Sequence, residues 1–275
     1  MSPEASEEPS SLPPIRRIAD DLRRRIATGE FSPGSRLPST RHLADAYEVD
    51  PKTIYRAVAL LKEAGQVTGR QGAGVYVPLP RTAIVRAPQE RYQWEKDRAL
   101  LPLAERQASG TGEYDTGRRR DDLDFPAQFS RVEATADVAD RMGVELGTPL
   151  LRRLYRTTVR GEDAPLSLIT SYIPYELAAA NPDLLDEGRE PWPGGTMHQL
   201  KTVGVEVDRI IDEASARPPT LDEQTALQLS SGVPVVVLHK TSVSIEGVVV
   251  EYSHVVLPGD RTTMRYTIQL ERWPS

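Results

Sequence analysis

Two helical patterns with only three residues between them constrain this chain more than any other feature. TRHLADAYEV, opened by Ser39 or Thr40 as a cap, runs into the tight turn Val49, Asp50, Pro51 and then into PKTIYRAVALLKEAG, which stops on Gly65. In the second pattern Ile54, Ala57, Val58, Leu61 and Ala64 recur at three and four residues, so one face is buried. The opposite face carries Thr53, Tyr55, Arg56 and Lys62. Asp50 suits the cap of that helix and Pro51 its first turn.

The flanks complete the pattern. Upstream, IRRIADDLRRRIATGEF sets Ile15, Ile18, Leu22 and Ile26 at helical spacing and ends at Gly29, and SPGSRLPST is a loop. Downstream, QVTGRQGAGVYVP predicts two short strands around RQGAG. Three helices followed by a small hairpin make a winged helix-turn-helix, in which the polar face of the third helix meets the DNA major groove. Charge placement agrees. The whole chain carries −6, but residues 14–78 hold 11 Lys and Arg against 7 Asp and Glu, a mildly basic module on an acidic body.

The segment ATGEFSPGSRLPSTRHLADAYEVDPKTIYRAVALLKEAGQVTGRQGAGVYV resembles the amino-terminal DNA-binding domain of the GntR superfamily of bacterial transcription regulators. Its marks are the G-x-[FL]-x-P-G-x-x-L-P-S loop, the Arg after it, T-x-x-x-A-x-x-x-L-x-x-x-G on the third helix and G-x-G-x-x-V at the wing. The resemblance implies that Arg41 reaches the operator, that Lys52, Thr53, Tyr55 and Arg56 open the recognition helix, and that Arg70, Gly72 and Gly74 form a wing near the adjacent minor groove. Many members have Arg where this chain has Pro51 and Tyr55, so a relative's operator sequence does not transfer.

At 275 residues and 39% hydrophobic content the chain is long enough for two domains. Residues 1–13, rich in Ser, Pro and Glu, are expected to be disordered, and 79–118, mixing Pro, charge and short apolar pieces, to be a linker running into a second domain over 119–275. That second part repeats itself. TADVADRMGVELGTPLLRRLYR and TLDEQTALQLSSGVPVVVLHKT share a capped helix, a Gly-x-Pro turn and a strand. Their opening threonines, Thr135 and Thr220, lie 85 positions apart. Each first strand then meets a turn, RGED or IEG, and a return strand ending at Pro174 or Pro258. A duplicated helix-plus-hairpin unit gives an α+β domain around an antiparallel sheet.

GTPLLRRLYRTTVRGEDAPLSLITSYIP, GGTMHQLKTVGVEVDRIIDEASARPPTLDEQTALQLSSGVPVVVLHKTS and VVVEYSHVVLPGDRTTMRYTIQL are similar to the UTRA effector-binding domain of the HutC-type branch of that superfamily, whose fold is that of chorismate lyase. Carried over by position, the effector pocket is expected to hold Arg156, Thr158, Ser171, Tyr172, Thr196, His198, Glu251 and Ser253. Arg, Ser and Thr bond anionic or hydroxyl groups, and a carboxylate selects sugar hydroxyls or an amine. Several relatives have a second Arg where Thr158 falls, and the resemblance therefore does not imply a phosphosugar here.

Catalysis finds little footing. With no cysteine there is no disulfide, thiolate metal site or cysteine nucleophile. No G-x-S-x-G, H-E-x-x-H or G-x-x-x-x-G-K-[ST] occurs, and no pair among His42, His198, His239 and His254 has helical metal-ligand spacing. No cofactor, metal or membrane span is expected. The reading is a cytoplasmic, homodimeric, ligand-responsive repressor on a palindromic double-stranded operator. Its rivals are an enzyme with a chorismate-lyase-like domain tethered to DNA and an architectural DNA binder without a ligand.

Overall fold

The computed structural model describes residues 13–70, 72–162 and 164–273. The tail expected to be disordered, residues 1–13, lies outside the described residues except for Pro13. Two compact units are present, one of residues to Pro80 together with Leu229–Val233, the other of Arg81–Gln228 and the chain from Pro234 on.

In the first unit three helices, α1 (Pro14–Ala27), α2 (Thr40–Tyr47) and α3 (Pro51–Glu63), precede a hairpin of β1 (Thr68–Arg70) and β2 (Gly74–Tyr76). Ser39 caps α2 by accepting from the His42 amide, and Asp50 caps α3 by accepting from the Lys52 amide at 2.7 Å. The connection is short because Glu48 takes a left-handed conformation, φ 54°, that closes α2 with bonds back to Ala44 and Asp45. Helix α3 can then cross α2 at once. Ile18, Leu22, Leu43, Ile54, Ala57 and Leu61 form the core, each at most 2% exposed. Burying an aliphatic side chain of this size is worth about 1.5–3 kcal/mol.

The second unit is built on a six-stranded antiparallel sheet. Its strands are β5 (Ala127–Glu133), β6 (Pro149–Tyr155), β8 (Leu168–Pro174), β9 (Val207–Arg217), β10 (Val235–Ser244) and β11 (Val249–Pro258), in spatial order β5-β6-β8-β11-β10-β9. Helix α7 (Ala136–Met142) follows β5, and α10 (Leu221–Ala226) follows β9. The duplication legible at Thr135 and Thr220 is thus one strand longer than the sequence pattern suggests: each half is strand, helix, strand, strand, and the halves meet where β8 pairs with β11. Two smaller helices border the sheet or its loops, α8 (Tyr175–Ala179) and α9 (Gly195–Thr202), and the long β6–β8 connection carries the two-residue β7 (Thr158–Val159), which pairs with β4 (Leu123–Asp124).

Residues 79–118, read from the sequence as a linker, are folded. They carry β3 (Ile84–Arg86), paired in parallel with β12 (Thr262–Met264), and the helices α4 (Pro88–Arg98), α5 (Leu103–Ala108) and α6 (Thr111–Thr116). From Arg81 onward they belong to the second unit. Their charge misled the pattern: Arg86, Arg91, Glu95, Arg98, Glu113 and Asp115 are all buried. Buried charges survive when paired, and Asp115 stands 3.1 Å from Arg86 Nε and 2.9 Å from Arg91 Nε. A hydropathy pattern scores each of these residues as exposed and finds no core.

Candidate nucleic-acid interface and ligand cleft

Helical periodicity sets the surface of α3. With Ile54, Ala57, Val58 and Leu61 turned into the core, Lys52, Tyr55 and Arg56 are left exposed and Thr53 half-buried. Arg41, one turn into α2, is exposed as well. Among the described residues the side chains of Arg41, Lys52 and Arg56 make no hydrogen bond or ion pair, so their donors are free for an external anion. At the wing, Gly72 (φ 71°) is open on all sides. Gly74 (φ 112°) is different: a Cβ there would lie 2.6 Å from Nε of Arg36. Arg36 is thereby laid across the hairpin, an exposed cation that sequence reasoning left out although it precedes the LPS triplet. The side chain of Arg70 lies outside the described residues.

In the second unit strand parity decides what faces what. On β11, Glu251, Ser253, Val255 and Leu257 point to one face of the sheet, and on β8 Ile169 and Ser171 do; they line a cleft of about 180 Å³. Glu251 sits at its floor and is 2% exposed. Its Oε1 accepts from Arg153 Nη2 and from the Ser171 hydroxyl, each at 2.8 Å, and its Oε2 accepts from Ser242 at 3.1 Å and pairs with Lys240 Nζ at 2.9 Å. Burial resists ionisation of Glu251, but Lys240 and Arg153 outweigh it and hold the carboxyl down to about 2. Arg153 also donates to Gln199 at 2.6 Å, Gln199 to Glu190 at 2.9 Å, and Tyr155 to the same Glu190 oxygen at 3.0 Å. One continuous polar network therefore runs beneath and along the cleft.

Of the residues expected in the effector pocket, the cleft brings together Ser171, Thr196, Glu251 and Ser253. The other four are elsewhere. Arg156 lies one residue past β6, exposed, with Nη2 donating to the Ala226 carbonyl. Thr158 is held in β7 opposite Asp124. Tyr172 alternates to the far face of the sheet, where its ring is parallel to that of Tyr252 at 6.1 Å. His198 is taken by the Trp192 indole, which donates to its Nδ1 at 2.9 Å. The β6 arginine that bonds Glu251, beneath the cleft, is Arg153, three positions upstream of the expected one. Period-two alternation from Tyr155 finds it, whereas position matching from relatives lands on the loop.

The wall facing the sheet comes from α4–α6 and the start of α9. Arg91, Glu95, Glu113 and Asp115 contribute to it, and Glu95 packs so closely on Gly195 (φ 65°) that a Cβ there would lie 2.6 Å from its carboxylate. Among the described residues no group of three or more His, Asp or Glu could hold a metal ion, and no helix is long and apolar enough to cross a membrane.

Three half-buried histidines and two ion-paired glutamates imply a pH response. Burial pushes His198, His239 and His254 below the ordinary value, helped by Arg106 and Lys201 beside His198, Arg141 beside His239 and His239 beside His254. The unfolded chain then binds protons that the folded one refuses. This contribution is complete above about pH 6.5 and is lost as pH falls through the depressed folded values. Glu251, and Glu223 held at about 2 by hydrogen bonds from Arg217, add a contribution that is lost from about pH 4.3 downward. The melting temperature of the second unit is accordingly expected to fall on acidification from about pH 6.5 and more steeply below about pH 4.3, as read by scanning fluorimetry. A flat profile across that range would contradict the assigned burial.

Comparison with known proteins follows the same division. Residues 14–77 match the family described as bacterial regulatory proteins, gntR family, and residues 127–263 match the UTRA domain. An uncharacterized HTH-type transcriptional regulator of Streptomyces coelicolor is 31% identical over 269 residues, covering 94% of this chain and 93% of that protein. The HTH-type transcriptional repressor NagR of Bacillus subtilis is 24% identical over 259 residues, covering 92% and 94%. A crystal structure of a GntR-family transcriptional regulator superposes with a TM-score of 0.61 at 26% identity, covering 94% of this chain and 98% of that one. The matched families and relatives are transcriptional regulators and not enzymes.

Proposed function

Because the chain belongs to the GntR family of bacterial regulatory proteins and joins its winged helix to a UTRA domain of the HutC type, we propose that it is a sequence-specific repressor released from its operator when a small polar metabolite fills the cleft. The observation that carries this reading is the presence, in one chain, of free cations on an exposed recognition helix and of a polar cleft in a separate unit. Repression over activation is supported by the likeness to the repressor NagR.

In this reading residues 14–78 bind DNA and the sensor begins at Arg81. A module of this size touches only a few base pairs, so a two-fold dimer on a palindromic site supplies the affinity. Tyr266, Ile268, Leu270 and Trp273, all exposed near the carboxyl end, favour a partner copy that covers them. A repressor that binds the bacterial chromosome works in the cytoplasm.

The cleft also narrows the ligand. Five carboxylates (Glu95, Glu113, Asp115, Glu190, Glu251) stand against four cations (Arg86, Arg91, Arg120, Lys240), and each of the four already pairs with a carboxylate. A phosphorylated or otherwise strongly anionic ligand finds no free cation here. The anionic half of the metabolite expected from Arg156 therefore drops out, and a neutral or cationic compound rich in hydroxyl or amine groups fits better.

The DNA half is tested on α3. Arg56→Ala is expected to cost about 1–3 kcal/mol with specificity relaxed at one base position, whereas Lys52→Ala weakens all sequences alike and reduces the salt slope by about one. Fluorescence anisotropy on DNA recovered with the protein measures both. Unchanged binding in the two variants would remove α3 from the interface.

A further inference from the structure

We propose that helices α4–α6 are the ligand-selecting wall of the cleft and that the Glu113 carboxylate is the group there that accepts hydrogen bonds from the effector. The inference deepens the sensor reading above and rests on it. It assigns a function to a segment, 88–117, that lies between the two family matches, 14–77 and 127–263, and belongs to neither.

Glu95 and Glu113 are the carboxylates of this wall that accept no hydrogen bond from a described residue, and Glu113 is the one whose two oxygens are both shut off from solvent. Its side chain is 8% exposed, it lines the cleft, and neither carboxylate oxygen accepts a hydrogen bond from any described residue. The nearest cation, Arg120 Nη1, stands 3.5 Å from Oε1, well beyond the ~2.8 Å of a charge-assisted bond. The other three carboxylates of the cleft are satisfied: Asp115 accepts from Arg91, Glu190 from Tyr155, Gln199 and the Trp192 amide, and Glu251 from three side chains.

The backbone is shaped around this carboxylate. A Cβ on Gly110, the residue before α6, would lie 2.9 Å from Glu113 Oε2, so the bare backbone there leaves the carboxylate its room, and a Cβ on Gly112 would lie 3.0 Å from the Phe125 ring, so that glycine lets α6 pack close to it. A buried carboxylate without donors is costly to the folded protein. That cost is recovered when a ligand brings O–H or N–H groups to it. The occupant is accordingly a small neutral or cationic molecule presenting hydroxyl or ammonium donors, as hexosamines, polyols and diamines do.

The test uses the full-length protein, wild type and Glu113→Gln, in thermal-shift titrations with hexosamines, neutral polyols and diamines, and with phosphorylated hexosamines as the contrasting arm. Gln keeps the shape of the side chain and removes the charge. Without ligand the variant is expected to melt at the wild-type temperature or a few degrees above it, because it loses a poorly satisfied buried charge. The compound that stabilises the wild type is expected to bind Glu113→Gln about 10–100-fold more weakly, with operator affinity unchanged. Gly110→Ala, which keeps the charge and crowds it, should weaken the same compound. Equal binding to wild type and both variants would overturn the assignment while leaving the sensor reading intact. Stabilisation by the phosphorylated arm alone would overturn it as well. A large fall in melting temperature of the unliganded Glu113→Gln protein would show the residue to be structural. No shift of the wild type with any probe would defeat the sensor reading, and this inference with it.

Discussion

Replacing Arg153 with Ala is expected to cost the second unit about 3–5 kcal/mol, the range for breaking a buried ion pair from one side. Arg153 is 1% exposed and donates to Ser171, Glu251 and Gln199 at 2.6–2.8 Å. Its removal leaves a cavity and deprives the Glu251 carboxylate of one of the two cations that hold it ionised. The double variant Arg153→Ala, Glu251→Ala should lose less than the sum of the two single changes, because the second substitution removes the charge that the first stranded. Tryptophan fluorescence during urea unfolding is the natural readout, since Trp94, Trp192 and Trp273 all lie in the second unit. Additive losses would mean that the two residues are not coupled.

Ile54→Ala is the corresponding change in the first unit. Ile54 is fully buried at the start of α3, in a core shared with Ile18, Leu22 and Leu61. Truncating an aliphatic side chain in such a core costs about 2–5 kcal/mol, depending on how far the site can collapse. Here the loss falls two residues from Lys52 and Arg56, so the helix that presents them loosens along with the core. Operator affinity is expected to fall with stability, whereas Arg56→Ala lowers affinity alone. Circular dichroism melts of the isolated effect on helix content, set beside anisotropy titrations, separate the two. A stable Ile54→Ala protein with weakened DNA binding would show that Ile54 acts in the interface and not through the core.

The sequence was most legible where spacing alone determines exposure. In α2 and α3 the apolar period, the caps Ser39 and Asp50 and the stop near Gly65 all survive in the structure. The duplicated unit was legible through its Gly-x-Pro turns, but β5 and β9 were not, because an edge strand such as β9, with Asp208, Arg209, Asp212 and Glu213 on it, lacks the apolar face that marks a strand. Helices α4–α6 escaped for the same reason in stronger form. Their buried positions are Arg and Glu, whose stability in the interior depends on partners far along the chain, such as Arg86 with Asp115, that no local pattern reveals. The cleft was half legible. Ser171 and Glu251 were found, but Tyr172 and Arg156 were assigned without regard to which face of the sheet they occupy, and parity places Arg153 and not Arg156 against Glu251.

The seam between β8 and β11 bears on the order in which this domain assembles. Within the six-stranded sheet β5, β6 and β8 pair with near neighbours in sequence, and so do β9, β10 and β11. Only the seam joins strands far apart, with Tyr172 opposite Tyr252 and the Arg153–Glu251 bond spanning 98 positions. Closing so long a loop carries a large entropic cost before any contact repays it, which makes the seam a late event in folding. The polar network at the cleft floor therefore forms last. Loosening it should speed unfolding more than it slows folding, and the two halves should keep their own hairpins after they part. A ligand bound across the seam would accordingly prolong the life of the folded sensor by slowing its opening.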